Sequence, residues 1–411
     1  MGTFRGNFQL GPSMSMLRAA LILGLLSAVG PFAIDMYLPA MPSISASLDA
    51  DVALVQMTLT AYFVAFGLAQ LFYGPWADQV GRKIPLYFGL GVFLMGAVVC
   101  AVAPTIGWLI AGRIIQGLGG AVLMVVPRAI IRDMHTGTQA TKLMAMVMLV
   151  ISVSPMLAPL AGSGMIAIGD WRGIFWILAL AAILSLTLVG TILPETLAPE
   201  HRVRVNLRNL WQGTKVLVRD PVFMGLTFIG GFGFASFMVF IASAAFVYTE
   251  EFGLSPTGFS IAFAVNALGF FGASQVAGPM GEKYGILPVM RWAIMGFAGF
   301  TVALFLVGLA GFATLPVIIA GLFLANACLG LILPTTMVVA LDPHGDIAGL
   351  AASLGGTLQM VAAGAMVVVT GLFFDGTAVP MVGAIALCAV LALVLALRTF
   401  AVMSRASGST A

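Results

Sequence analysis

Gly74-Pro75-Trp76-Ala77-Asp78-Gln79-Val80-Gly81 returns as Gly278-Pro279-Met280-Gly281-Glu282-Lys283-Tyr284-Gly285, an offset of 278 − 74 = 204 residues in a chain of 411. Each copy closes a long apolar run and sits before another. An offset close to half the chain means two copies of one unit in parallel topology, one way in which transporters are built around a central cavity.

Working outward from the two copies, apolar runs broken by short polar, Gly or Pro punctuation number twelve. They lie near 17–39, 53–77, 84–103, 107–128, 141–168, 173–193, 221–248, 256–280, 288–309, 314–340, 348–373 and 379–402. About 20 apolar residues make a helix that crosses a bilayer, and open sheet edges do not survive in hydrocarbon, so the runs predict membrane-spanning helices. Composition agrees: 61% of residues are apolar and 8% charged, against about 25% charged in a soluble domain. The basic residue Arg18 precedes the apolar stretch 19–33, which is read as the first span and not as a cleaved signal. The expected fold class is an all-α membrane protein of twelve transmembrane helices in two pseudo-symmetric six-helix bundles. The expected divisions are 1–194, a basic linker 195–220, and 221–411.

Charge orients the helices, because short loops rich in Lys and Arg stay cytoplasmic. With both ends on one side, that side holds Arg5, Arg18, Arg82, Lys83, Arg128, Arg132, Lys142, Arg202, Arg204, Arg208, Lys215, Arg219, Lys283, Arg291, Arg398 and Arg405, 16 of the 18 basic residues. The other side holds Asp49, Asp51, Asp170, Glu250, Glu251 and Asp375 with Arg172, and Arg113 lies within a span. Both termini are therefore expected in the cytoplasm. The linker, with five basic residues, serves topology or touches anionic lipid. A net charge of +3 argues against a nucleic-acid partner. Cys100, Cys328 and Cys388 lie apart in apolar runs, and His135, His201 and His344 lie in loops, so neither a disulfide framework nor a metal site is expected. Without a Walker motif, ATP is not the energy source.

Two charges stand inside spans. Asp35, in Ala33-Ile34-Asp35-Met36-Tyr37-Leu38-Pro39, is the acid, and Arg113, in Ala111-Gly112-Arg113-Ile114-Ile115-Gln116-Gly117, is the base. Ionisable residues in hydrocarbon are costly and mark function by default, and each gives the other a possible ion-pair partner. An ion pair that is purely structural is the alternative.

The segment Gly74 to Lys83, G-x-x-x-D-x-x-G-R-K, resembles the loop signature of the major facilitator superfamily, with Gln79 where that family often carries a base. The resemblance implies that Gly74, Asp78, Gly81, Arg82 and Lys83 latch the cytoplasmic side when the cavity faces outward. Arg113-x-x-Gln116-Gly117-x-Gly119-Gly120-Ala121 resembles the fourth-helix signature of proton-coupled members, and Asp35-x-x-x-Pro39 the first-helix signature of drug:proton antiporters. Both imply proton coupling at Asp35 and Arg113. Ser154 to Ser163 resembles the exporter signature of the fifth helix through Pro159 and Gly162, with Ser154, Ala158 and Ser163 in place of glycines, and implies a helix bend there. Trp171-Arg172-x-x-Phe175, Pro194-Glu195-Thr196 and Arg132-Asp133 resemble motifs of the bicyclomycin and chloramphenicol resistance branch.

By this resemblance the chain is expected to be a proton-coupled multidrug efflux antiporter of the bacterial inner membrane. It would export hydrophobic or amphiphilic molecules by alternating access, need no cofactor beyond the proton gradient, contact membrane lipid and act as a monomer. An uptake symporter for a metabolite is the alternative, disfavoured by the scarcity of buried polar side chains to grip a hydroxylated solute. Substrate contacts are expected at Asp35, at Tyr62 and Phe66 on one helical face, and at Phe237 and Asn266 in mid-span. Asn326 and Gln359 are weaker candidates.

Overall fold

The computed structural model describes residues 15–135, 137–202 and 207–408. The expected positions Arg5 and Arg204 lie outside them, as does the side chain of Arg405. Among the described residues twelve helices are long and apolar enough to cross a membrane: Met16–Leu48, Val52–Val80, Lys83–Ala101, Ile106–Met134, Lys142–Ile168 and Arg172–Thr191, then Pro221–Glu251, Pro256–Tyr284, Ile286–Leu309, Leu315–His344, Gly349–Leu372 and Ala378–Ser404. They are called spans 1 to 12. Among the described residues there is no strand.

Helix pairing repeats with a period of six. Spans 1 and 5, 2 and 4, 3 and 4, and 3 and 6 pack together, and so do 7 and 11, 8 and 10, 9 and 10, and 9 and 12. Across the halves the principal neighbours are spans 2 and 11 and spans 5 and 8, each pair the pseudo-symmetric counterpart of the other. The repeated sequence performs the same turn twice. Gly81 at φ 100° and Gly285 at φ 86° end spans 2 and 8, and their amides donate to the carbonyls of Ala77 and Gly281. Positive φ is open to glycine at little steric cost.

Two spans depart from the expected bounds. Span 1 continues past residue 39 but breaks: its α-helix ends at Asp35, a turn covers Met36 and Tyr37, a 3₁₀ turn holds Leu38–Ala40, and helix resumes at Met41–Leu48. Pro39 and Pro42 supply no backbone donors, so the ladder cannot run through. Span 4 does not stop at 128, because Ala129-Ile130-Ile131 carries it to Met134. Arg128 and Arg132, expected in a loop, therefore lie inside a helix, and Arg113 is not the single base within a span. The polar linker holds an amphipathic helix, Leu207–Arg219, and Asp220 caps span 7 by accepting from the amides of Val222 and Phe223 (2.8 and 3.2 Å).

The halves meet from one end as far as mid-span, where Thr357 Oγ1 of span 11 donates to the Gly67 carbonyl of span 2 (2.7 Å). One core cluster runs from the N-terminal half into the C-terminal half through Ala235 to Phe263, Leu322, Val367 and Met381. These residues lie toward the face opposite the termini and linker, here the far face. The parts of the C-terminal half nearer the linker, including Phe223, Leu226, Phe297, Leu329 and Ala396, form a separate cluster. On the far side Gln56 Nε2 donates to the Ala242 carbonyl (3.3 Å), and Ser260 Oγ donates to the Pro159 carbonyl (3.0 Å). The molecule is sealed at the far face and parted at the linker face.

Candidate transport site

Between the parted halves lies a cavity of about 190 Å³, lined from both bundles by spans 2, 4, 7, 10 and 11. Its wall is apolar over most of its extent, with Phe66, Met124, Phe234 and Met360, and carries the polar groups of Gln70, Thr227, Thr336 and Gln359 and one cation, Arg128. Of the expected substrate contacts, Phe66 and the weaker candidate Gln359 line it. Phe237 instead stacks on Phe270 (centroids 5.1 Å apart). Asn266 is fully buried, its amide donating to the Ala262 carbonyl of its own helix (3.1 Å).

Deeper and toward the far face, the two sequence-predicted charges share a neighbourhood without pairing. Asp35 ends the α-helical part of span 1, is 5% exposed, and has no ion-pair partner among the described residues. Arg113 is fully buried. One nitrogen, Nη1, donates to the Ala33 carbonyl (3.0 Å) and to Gln116 Oε1 (2.6 Å). Its Nε and Nη2 have no hydrogen-bond partner. The guanidinium lies over the rings of Tyr37 (4.9 Å) and Tyr62 (4.4 Å), so aromatic faces take the place of a carboxylate. The expected Asp35–Arg113 ion pair is therefore not formed. What joins the groups is the backbone of span 1, since Tyr62 Oη also reaches it, donating to the Gly30 carbonyl (3.5 Å). Tyr62 in turn stacks on Phe66 (5.8 Å), and Phe66 faces the cavity.

The exporter segment of span 5 meets the same break. Gly162 packs directly on the Met36 carbonyl, so that a Cβ there would lie 3.0 Å from the carbonyl carbon and from Pro39 Cγ. Pro159, one turn earlier, supplies the carbonyl that Ser260 of span 8 binds. This segment thus holds both the interrupted first span and the far-face seal.

At the linker face the loop after span 2 is tied down by charge. Arg82, 3% exposed, donates from Nη1 to Asp78 (2.6 Å) and from Nε and Nη2 to the two oxygens of Asp133 at the end of span 4 (2.7 and 3.0 Å). Glu195 accepts from the backbone amides of Arg82 (2.8 Å) and Lys83 (3.1 Å), and Thr196 Oγ1 donates to Asp133 (2.9 Å). The loop, Arg132-Asp133 and Pro194-Glu195-Thr196, far apart in sequence, are one cluster formed by the N-terminal half and the start of the linker. Gly74 lies a turn earlier against Val125 of span 4. The copy after span 8 has Ile286 where the first has Arg82, and among the described residues no such cluster forms there.

Residues 23–367 match the Major Facilitator Superfamily. The chain belongs to that superfamily. It is 32% identical over 367 residues, covering 89% of this chain and 91% of the relative, to an uncharacterized major facilitator transporter, YdgK, of Bacillus subtilis. It is 29% identical over 373 residues, 90% and 93% of the two chains, to a bicyclomycin resistance protein homolog of Haemophilus influenzae, in keeping with the drug:proton antiporter branch that the motifs resemble. The crystal structure of a D-xylose-proton symporter superposes with a TM-score of 0.71 at 17% identity, over 92% of this chain and 96% of that one, and shares the fold. This superfamily member is a multi-pass membrane transporter and not an enzyme. Among its described residues no cluster of His, Cys, Asp or Glu could hold a metal.

Arg128, Gln70, Thr227 and Thr336 are the polar lining residues that sequence reading missed, together with apolar ones such as Met124, Phe234 and Met360. The apolar Ala129-Ile130-Ile131 after Arg128 was the available signal, since a true helix-flanking base is not followed by more apolar helix.

Proposed function

We propose that this superfamily member expels hydrophobic or amphiphilic drugs from the bacterial cytoplasm in exchange for protons. The inner membrane would be its site, with both termini cytoplasmic, because the linker face carries nearly all of the basic residues. The relative named for bicyclomycin resistance supports the drug class. One observation carries the mechanism: Asp35 is the buried acid of the described residues, without a counter-ion, at the break in span 1.

A buried carboxylate is far cheaper protonated than charged. Asp35 would release its proton when drug loads from the linker side and take a new one when the cavity turns outward. Arg113 keeps a fixed positive charge nearby. Its two unpartnered nitrogens suit it to stabilise Asp35 after deprotonation, at the moment of exchange. Turning outward requires breaking the far-face contacts of spans 2 with 11 and 5 with 8, and closing the linker face. Asp78, with its side chain 49% exposed even while it binds Arg82, is free to meet the opposite half on closure, so Gly74, Asp78, Gly81, Arg82 and Lys83 act as the latch.

Inside-out vesicles carrying the protein should accumulate a dye substrate when acidified inside, and Asp35→Asn should abolish that accumulation while leaving protein in the membrane. Proton-driven accumulation by Asp35→Asn at the normal rate, or accumulation by right-side-out cells, would overturn the proposal.

A further inference from the structure

Among the described residues Arg128 is the one formal charge on the cavity wall, and it has no acidic partner there. Its guanidinium meets the sulfur of Met124 one turn earlier (Nη2 to Sδ 3.4 Å), and no ion pair joins it to a carboxylate among the described residues. The wall around it offers amides and hydroxyls, Gln70, Gln359, Thr227 and Thr336, but no carboxylate. Apolar surface from both halves faces the same space, with Phe66 and Met124 on one side and Phe234 and Met360 across it. A cation entering this cavity meets a like charge and nothing to offset it. A carboxylate meets a planar fork of donors that matches its two oxygens.

We propose that the cavity selects anionic amphiphiles, above all molecules with one carboxylate and an aromatic or aliphatic body, and that Arg128 is the residue that binds the carboxylate. The apolar body lies against Phe66 and Phe234, and Gln70 or Gln359 serves a second polar group. The position of Arg128 suits entry from the linker side, because it stands six residues before the end of span 4. There an anion is recognised before it reaches the deeper Asp35. This inference names the substrate class of the exporter proposed above and rests on that reading for the direction of transport. It does not depend on proton coupling.

The test is direct binding to the purified full-length protein in detergent at neutral pH, with three probes that share one aromatic body: naphthaleneacetate, naphthaleneacetamide and naphthylethylammonium. The expected order of affinity is carboxylate, then amide, then ammonium. Arg128→Gln should weaken naphthaleneacetate about tenfold to a hundredfold, as for the loss of a charged hydrogen bond, and leave the amide within about threefold. Arg128→Lys should retain part of the preference, and Asp35→Asn should retain all of it. Equal binding of the three probes by the parent protein, which needs no variant to fold, would overturn the inference. So would an anion preference that survives Arg128→Gln, or one that Asp35→Asn removes. If the anion preference holds while Asp35→Asn still exports with protons, the assignment of coupling to Asp35 fails; if it holds while the parent shows no proton-driven export, the antiport reading fails; in both cases this inference stands.

Discussion

The packing of Gly162 against the break in span 1 allows a mutation to be priced before it is made. A Cβ at this position would stand 3.0 Å from the carbonyl carbon of Met36 and 3.0 Å from Pro39 Cγ, with the Met36 carbonyl oxygen nearer still. These are backbone and ring atoms that cannot swing aside as a flexible side chain would. Gly162→Ala should therefore push span 5 from span 1, at the roughly 1–3 kcal/mol typical of overpacking, offset by at most about 1 kcal/mol from the better helix propensity of alanine. Gly164, two residues on, is the internal control. A Cβ there meets nothing within 4 Å, so Gly164→Ala should leave stability unchanged or raise it by about 0.5–1 kcal/mol. Because Met36 follows Asp35 directly, the displacement caused by Gly162→Ala should also depress proton-driven export more than its stability loss explains. Thermal unfolding of purified variants and export in vesicles read the two effects separately. Equal unfolding midpoints and equal export for Gly162→Ala and the parent would refute the reasoning.

Other outcomes follow from the charged groups. Arg113→Ala should abolish active export while leaving folded protein in the membrane, and Arg113→Lys should fail as well, since an ammonium cannot reproduce the fork that holds Ala33 and Gln116; normal export by Arg113→Ala would make the guanidinium a packing element. Arg82→Ala should cost about 1–3 kcal/mol, because the buried guanidinium gives up its charged hydrogen bonds to Asp78 and Asp133 while Asp133 keeps Thr196, whereas Asp78→Asn should cost at most about 1 kcal/mol, Asp78 being half exposed. Asp78→Asn should nevertheless slow turnover more than drug binding, and equal accessibility of cavity cysteines in Asp78→Asn and parent would count against a latch. External thiol reagents should label a cysteine placed at Asp51 or Glu251 and miss one at Arg208; the reverse would invert the topology.

Much of this molecule was readable from the chain because the bilayer imposes strong, local rules. Helix number, the six-helix repeat and the two buried charges each depend on hydropathy or on a residue type that hydrocarbon penalises. The cavity wall was not readable, for a physical reason. A lining residue differs from a lipid-facing one only by the rotation of its helix, and with apolar residues all round there is little periodicity to show which face turns inward. Phe66 and Phe237 look alike in sequence, yet one lines the cavity and the other stacks on Phe270. The charge cluster at the linker face illustrates the opposite case. Arg82, Asp133 and Glu195 carry no signal of proximity in their spacing, and only the fold brings the three segments together, with Asp133 on the Arg82 guanidinium and Glu195 on the Arg82 backbone amide.

The count of buried acids sets how the proposed exchange would use the membrane's energy. Asp35 is the one buried acidic side chain of the described residues, so a cycle that titrates it returns one proton per substrate. Export of a neutral drug then moves one net positive charge inward. Export of a monoanion, the class to which Arg128 points, moves two, and export of a monocation moves none. Each charge crossing 100 mV is worth about 2.3 kcal/mol, and each pH unit about 1.4 kcal/mol per proton. At 100 mV, negative inside, voltage alone would thus drive a carboxylate with about 4.6 kcal/mol and a neutral drug with about 2.3 kcal/mol. A monocation would depend on the pH gradient, and a dication would move against the voltage. Proteoliposomes with a valinomycin-set potassium potential and matched pH test this order directly: carboxylate flux should rise most steeply with voltage, amide flux less, and monocation flux not at all. Voltage-independent export of the carboxylate would mean that no net charge moves with it, as when the neutral acid leaves without proton exchange, and robust export of a dication against the potential would require a second titrating group; under either result the reasoning from Asp35 alone would fall.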